Sequence, residues 1–240
     1  PLSAAKLVYE GRKEDVAASG YAYLDRGEAY EWRQRAITFW TSEHEIKMPD
    51  GSFAKVPVQD DAQLGTFADQ MLITLRSDWT FGGATHAAGS LLAVPLLAFM
   101  RGQQAEVVTL FKPSATVSLD GQGESLHYLI LDVLNNVRSE IRLWRYKDKK
   151  WVLEQTYTGE SDSLAAISAS GVCASKSDDL WLTSSSYTQP TTYALARADQ
   201  PLATHERLKS LPHMYDAQGL QVVQHEATSA DGTKVPYFLI

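Results

Sequence analysis

The sequence predicts an all-β protein assembled from repeating four-stranded antiparallel units, with a β-propeller and a β-sandwich both open as architectures. Three features predict it. Short runs that alternate apolar and polar residues are separated by Gly- and Asp-bearing turns along nearly the whole chain. Helical periodicity is all but absent, its best stretch being the short VPLLAFMRG at 94–102. The runs also group into four units, residues 16–58, 64–111, 116–155 and 164–209, each roughly 40–50 residues long, the repeat length of a propeller blade.

In chain order, residues 18–24 and 29–40 read as strands around the turn DRGE, and residues 43–48 and 53–58 as strands around PDGS. Residues 71–79 (MLITLRSDW) form a strand, followed by a loop holding Gly82, Gly83 and Gly89 and then by SLLAV. TVSL, a turn DGQGE at 120–124 and SLHYLILDVL open the third unit, and SEIRLWRY, the turn KDKK and WVLEQTY close it. LWLTSSS and TTYALAR flank TQP in the fourth. Trp144, Leu143, Ile130 and Leu129 are expected in buried strands, since a blade is covered on both faces and tolerates consecutive apolar residues. Trp32, Trp40, Trp144, Trp151 and Trp181 fall in or beside strands, where large aromatics pack between β layers. At the far end, two alternating runs flank Asp231-Gly232, which predicts a hairpin with a type I′ turn. The second run ends at Phe238-Leu239-Ile240 in mid-strand, so the strand is expected to continue into a further part of the protein.

The 240 residues fit one large domain, or one and a fraction, since single all-β domains run to about 200–250 residues. With 44% hydrophobic and 21% charged residues, the chain can bury a sizeable core and is not expected to be disordered. A net charge of −7 argues against a nucleic-acid surface, and KDKK at 147–150 reads as a solvated turn. The most apolar stretch, residues 90–100, is interrupted by Pro95 and far short of the roughly 20 residues that span a bilayer. A soluble protein of cytoplasm or periplasm is expected. The single Cys173 excludes an internal disulfide, a C-x-x-C redox pair and a cysteine-rich zinc site.

No catalytic, cofactor-binding or metal-binding residue is expected. A nucleophile elbow needs G-x-S-x-G, because the two glycines permit the strained turn that exposes the serine. The nearest approach, Gly159-Glu160-Ser161-Asp162-Ser163, lacks the second glycine and reads as a loop. A zinc-peptidase helix needs H-E-x-x-H, so that two imidazoles share a face. His44-Glu45, His205-Glu206 and His225-Glu226 begin it, but Met48, Lys209 and Ser229 stand where the second His belongs. His86, His127 and His213 lie apart in the sequence and far from Cys173, which does not favour a metal site. Gly121-Gln122-Gly123 is followed by neither the third glycine nor the helix of a dinucleotide loop.

Four stretches resemble a known family: residues 71–93, 129–144, 184–196 and, most specifically, 208–240. Together they are similar to the prolyl oligopeptidase family of serine peptidases, and the likeness covers most of the chain. In that family a leucine-rich exit from the propeller, a Phe/Tyr-Asp pair and a Ser-x-Asp-Gly-x-x-Val-Pro turn mark the way into the α/β-hydrolase domain. Tyr215, Asp216, Ser229, Asp231, Gly232, Val235 and Pro236 match that pattern. The resemblance implies about four four-stranded antiparallel blades of a seven-bladed parent propeller. Residues 1–215 would be the partial propeller, and 216–240 a hairpin leading into an absent catalytic domain. It implies a substrate-gating role in a peptidase of short peptides, with the catalytic triad beyond Ile240. Peptide substrates and the chain's own hydrolase domain would be its partners, and the isolated blades are expected either to pair their exposed flanks between chains or to contract into a smaller ring. The alternative is a free-standing β-propeller or sandwich that binds a protein or glycan.

Overall fold

The structure is a computed structural model and describes residues 2–159 and 164–240. The chain divides into two compact units, Pro1–Lys112 and Pro113–Ile240. In the first unit, β1 (Ala17–Asp25), β2 (Glu28–Ala36), β3 (Ser42–Lys47) and β4 (Phe53–Lys55) make an antiparallel meander. β5 (Gln63–Phe67) and β6 (Gln70–Thr74) begin a second sheet. The chain then leaves it for a small hairpin of β7 (Trp79–Phe81) and β8 (Ala84–His86), and returns as β9 (Leu91–Pro95). The short helix α1 (Leu96–Met100) and β10 (Val108–Phe111) complete the sheet, in the order β10-β9-β6-β5.

The second unit repeats the plan. β11 (Val117–Glu124), β12 (Tyr128–Asn135), β13 (Arg138–Lys147) and β14 (Lys150–Tyr157) form one meander. β15 (Ala166–Gly171), β16 (Asp179–Ser185), β17 (Thr192–Arg197) and β18 (Glu206–Ser210) form the next, and β19 (Val223–Thr228) pairs with β20 (Lys234–Leu239) in a separate hairpin. The four sheets coincide with the four units of the sequence, and α1 with its one helical stretch.

Turn chemistry explains the register. Arg26-Gly27, Asn136-Val137 and Asp148-Lys149 all have positive φ in two-residue turns, the type I′ geometry whose twist matches the strands it joins. At Asp231-Gly232 the expected type I′ turn is corrected: of the two only Gly232 has positive φ, at 86°, and three residues lie inside the backbone bond that joins Ser229 and Thr233. Ser229 N–H donates to Thr233 O at 2.9 Å, and the Asp231 carboxylate accepts from Thr233 N–H at 3.0 Å and from the Ser229 hydroxyl. Those bonds hold the Asp231 carboxyl down at about 2.

Three further expectations are corrected. Residues 120–124 are not a turn. They run as the second half of β11, past a bulge between Leu119 and Gly121 that absorbs the extra residue. Strand β2 ends at Ala36, and Phe39 and Trp40 are 86% and 73% exposed on the following loop, so Trp40 is not core. Strand β6 ends at Thr74, four residues before Asp78-Trp79. Trp32 is core at 2% exposure, whereas Trp144, Trp151 and Trp181 are half-buried.

The cores lie between paired sheets. In the first unit Trp32 and Ile46 pack with Met71, Ile73, Leu92 and Val94. In the second, Tyr128, Ile130, Ile141 and Leu143 pack against Ile167, Leu180, Leu182 and the small Ala169, Ala194 and Ala196. Leu129, Ile130 and Leu143 are buried as expected. Small side chains bring the two sheets of this unit so close that a Cβ on Gly171 would lie 2.1 Å from the Glu124 carbonyl oxygen. Gly171→Ala is therefore expected to lose about 2–4 kcal/mol, because backbone rather than a flexible side chain must move. Gly219→Ala, at a positive φ with no atom within 4 Å, is expected to cost only about 1 kcal/mol. Urea denaturation of the two variants measures the difference.

Candidate functional site

The turn from β11 to β12 and the loop before β16 bring together Ser125, His127 and Asp178. The Ser125 hydroxyl donates to Asp178 Oδ1 at 2.8 Å, the His127 backbone N–H reaches the same oxygen at 2.8 Å, and His127 Nδ1 lies 2.7 Å from Oδ2. Burial pushes the Asp178 carboxyl up, but the bonds from His127 and Ser125 outweigh it and hold the group below its ordinary value. These residue types are those of an acyl-transfer triad, yet the connectivity is wrong. A triad needs the imidazole between hydroxyl and carboxylate, so that it can take the hydroxyl proton. Here the carboxylate stands in the middle and Ser125 is fully buried, which makes the group a clamp between two loops. The sequence gives no sign of it, since the partners lie 51 and 53 residues apart.

The H-E pairs lie on or beside strands. His44 and Glu45 are adjacent in β3 and so point to opposite faces, and His225-Glu226 does the same in β19. His205 precedes β18 and its Nδ1 lies 2.9 Å from Leu202 O. None can offer two imidazoles on one helical face. His44 is half-buried with Trp32 edge-on at 6.5 Å, and burial lowers its pKa. His86 lies in β8 near Trp79, and His213 is exposed. Among the described residues no three His, Cys, Asp or Glu side chains converge as a metal-holding group. Cys173, half-buried, has its thiol pKa lowered by the Ser175 hydroxyl at 3.6 Å. Of the elbow near-miss, Glu160 to Ser163 lie outside the described residues. Gly123 packs beside the β15 backbone, its Cβ position 3.8 Å from Ala169 O, which is a sheet contact rather than a phosphate cradle.

One acid stands out in the second unit's core. Asp132 of β12 accepts a hydrogen bond from Ala169 N–H of β15 at 3.2 Å, and burial raises its pKa to about 6. The hydrogen bond opposes the rise and Asp120 adds to it.

Four antiparallel four-stranded meanders define the chain as a run of propeller blades. No family model matches it. Over 99% of its length it superposes on a post-proline cleaving enzyme from Rickettsia typhi, with a TM-score of 0.78 at 23% identity and 35% of that chain covered. Over 98% it superposes on prolyl oligopeptidase B from Galerina marginata, with a TM-score of 0.68, 17% identity and 33% of that chain covered. The fold is that of the propeller part of prolyl oligopeptidases, as the resemblance implied. In sequence it is 31% identical over 247 residues to an uncharacterized peptidase of Sinorhizobium fredii, a match covering all of this chain and 33% of the relative. The chain thus spans about a third of the length of the proteins it resembles.

Two substitutions test these assignments. Asp178→Ala removes the acceptor that the buried Ser125 hydroxyl and the His127 N–H share and is expected to lose about 2–3 kcal/mol, with Asp178→Asn recovering part of it, in denaturant titrations. For Asp132 the sign is the reverse of the usual carboxylate. Between about pH 4 and 6 the folded state binds the proton that the unfolded state has released, so stability falls as pH rises through that window. Asp132→Asn keeps an acceptor for Ala169 and removes the charge. It is expected to stabilise the protein at pH 7 by roughly 1–2 kcal/mol after partial solvent screening, and to change little at pH 4. Melting curves across that range measure it.

Proposed function

We propose that the chain is the substrate-gating propeller segment of a prolyl oligopeptidase-like serine peptidase that hydrolyses short peptides. Residues 1–215 would be the partial propeller, and 216–240 the hairpin that leads into an α/β-hydrolase domain. The observation that carries this reading is the agreement of fold over 99% of the chain with a post-proline cleaving enzyme, joined to 31% identity with a third of an uncharacterized peptidase at full coverage of this chain. A propeller in front of a catalytic cavity excludes folded proteins by size and admits short peptides. Acyl transfer by a Ser-His-Asp triad and an oxyanion hole would then belong to the hydrolase domain.

The chemistry of the segment supports that division. Its Ser, His and Asp cluster is wired as a clamp, and Asp132 and Asp178 join neighbouring sheets through hydrogen bonds.

Reading the gene past the codon for Ile240 and assaying its whole product tests the proposal. The expected result is a following hydrolase half with a G-x-S-x-G elbow, and a product that cleaves chromogenic short peptides but leaves folded proteins intact. The 240-residue segment alone is expected to show no turnover above background. A stop codon directly after Ile240, or turnover by the segment itself, would sink it.

A further inference from the structure

In the first unit, the turns from β1 to β2, β3 to β4 and β5 to β6 lie at the same ends of their sheets as the start of α1. There the strand ends part around a cavity of about 750 Å³. Its floor is apolar and buried, with Ile46 at 1% and Leu96 at 3% exposure, while Leu24 and Leu97 stand exposed at its edge. Tyr23 and Tyr30 contribute rings 5.7 Å apart. Volume and lining fall in the range of sites that take small organic ligands.

Acidic side chains outnumber basic ones among the residues that line this cavity. Glu28, Glu31 and Asp69 line it against a single base, Lys47, whose Nζ is already 2.6 Å from Glu31. Glu28 has no ion-pair partner among the described residues. Burial pushes the pKa of the Tyr30 phenol up, and the carboxylates of Glu28 and of Asp25, the latter paired with Arg26, push it further.

The walls are also fixed in advance. The Tyr30 hydroxyl donates to Ala68 O and braces a turn in which Ala68, a non-glycine, has φ of 50°. Leu96 N–H donates to Asp69 O at 3.0 Å, tying that turn to the start of α1. The Tyr23 hydroxyl lies 3.0 Å from Thr66 Oγ1, which donates to Asp25 at 2.8 Å. A backbone held off its preferred region by surrounding bonds is a recurring feature of ligand sites, and rings held in place lose little entropy on binding.

We propose that this cavity is a binding site for an ammonium or guanidinium group carried on an apolar stem. The stem lies against Leu24, Met48, Leu97 and the two tyrosine rings, and the charge meets the carboxylates and the ring faces. Such a group can come from a basic side chain of a peptide or from a free amine.

Calorimetric titration of the 240-residue chain with phenethylammonium and with acetyl-Leu-Lys-Leu amide separates the two sources, with phenylacetate and acetyl-Leu-Glu-Leu amide as anionic counterparts. At least one cation is expected to bind with Kd below about 1 mM at low salt. Binding should weaken in about 0.5 M salt, and neither anion should bind. Binding of the peptide alone assigns the site to basic peptides, and comparable binding of the amine assigns it to small amines. The paired change Glu28→Gln and Glu31→Gln is expected to weaken binding about fivefold or more, and Leu97→Arg to abolish it, both with unchanged melting temperature. No cation bound by about 10 mM, equal binding of the anions, or affinity untouched by both variants would overturn the proposal.

Discussion

A strand that is apolar on both faces can be stable only between two covering layers, and the architecture of this chain follows from that constraint. β12 shows it most clearly. Tyr128 and Ile130 face one side, Leu129, Leu131 and Val133 the other, and none is more than 2% exposed. β6 and β9 are buried in the same way. Such strands cannot alternate apolar with polar residues, so their register is set instead by the turns that bound them. Burial falls away toward the sheet margins, where β14 and β18 are largely exposed and carry Lys150, Glu154, Arg207 and Lys209. Charged margins discourage further pairing by the open edge.

Apolar layers slide unless something fixes them, and in each unit the fixing is polar and local. In the second unit two polar groups join the β11–β12 hairpin to β15 and the loop that follows it, Asp132 with Ala169 N–H and Asp178 with Ser125 and His127, beside the close approach of Gly171 to the Glu124 carbonyl. In the first unit Tyr23 and Asp25 of β1 bond Thr66 of β5, and Tyr30 of β2 bonds the Ala68 carbonyl. Both units therefore tie the first hairpin of one sheet to the first strand of the next and to the turn or loop that follows that strand. The residues used differ between the units, so the repeat is one of geometry and leaves little trace as sequence identity.

That difference explains what was legible beforehand. The four sheets could be read because period-two runs and turn residues recur at blade length, and the observed limits, such as 117–157 against an expected 116–155, differ by a few residues. The failures have physical causes. Asp120-Gly121-Gln122-Gly123 has the composition of a turn, but a bulge lets the strand run through it, with Gly121 against the Asp132 side chain and Gly123 where the β15 backbone comes close. The apolar run Ile37 to Trp40 looks like strand. The Thr38 hydroxyl instead accepts from the N–H groups of Trp40 and Thr41, which closes a loop and leaves the aromatics outside. The Ser125, His127 and Asp178 clamp and the cavity beside Tyr30 exist only once distant segments meet, so no spacing in the chain could reveal them.

The same clamp bears on how function is read from such a segment. Titratable groups displaced from their ordinary pKa are the usual pointers to active sites. Here the displaced groups Asp132 and Asp178 lie at the seam between sheets, where packing removes water and backbone N–H groups supply the compensating bonds. A repeat protein generates such seams at every interface, so perturbed acids and even a serine, histidine and aspartate in contact arise from structural need alone. Order of connection decides the matter: a carboxylate that bridges hydroxyl and imidazole fixes both and activates neither. Under the proposed reading, acyl transfer then has to come from the part of the protein that its relatives carry beyond this third. Under the same reading the blades contribute a wall, and the clamp and Asp132 serve to hold two of its sheets together.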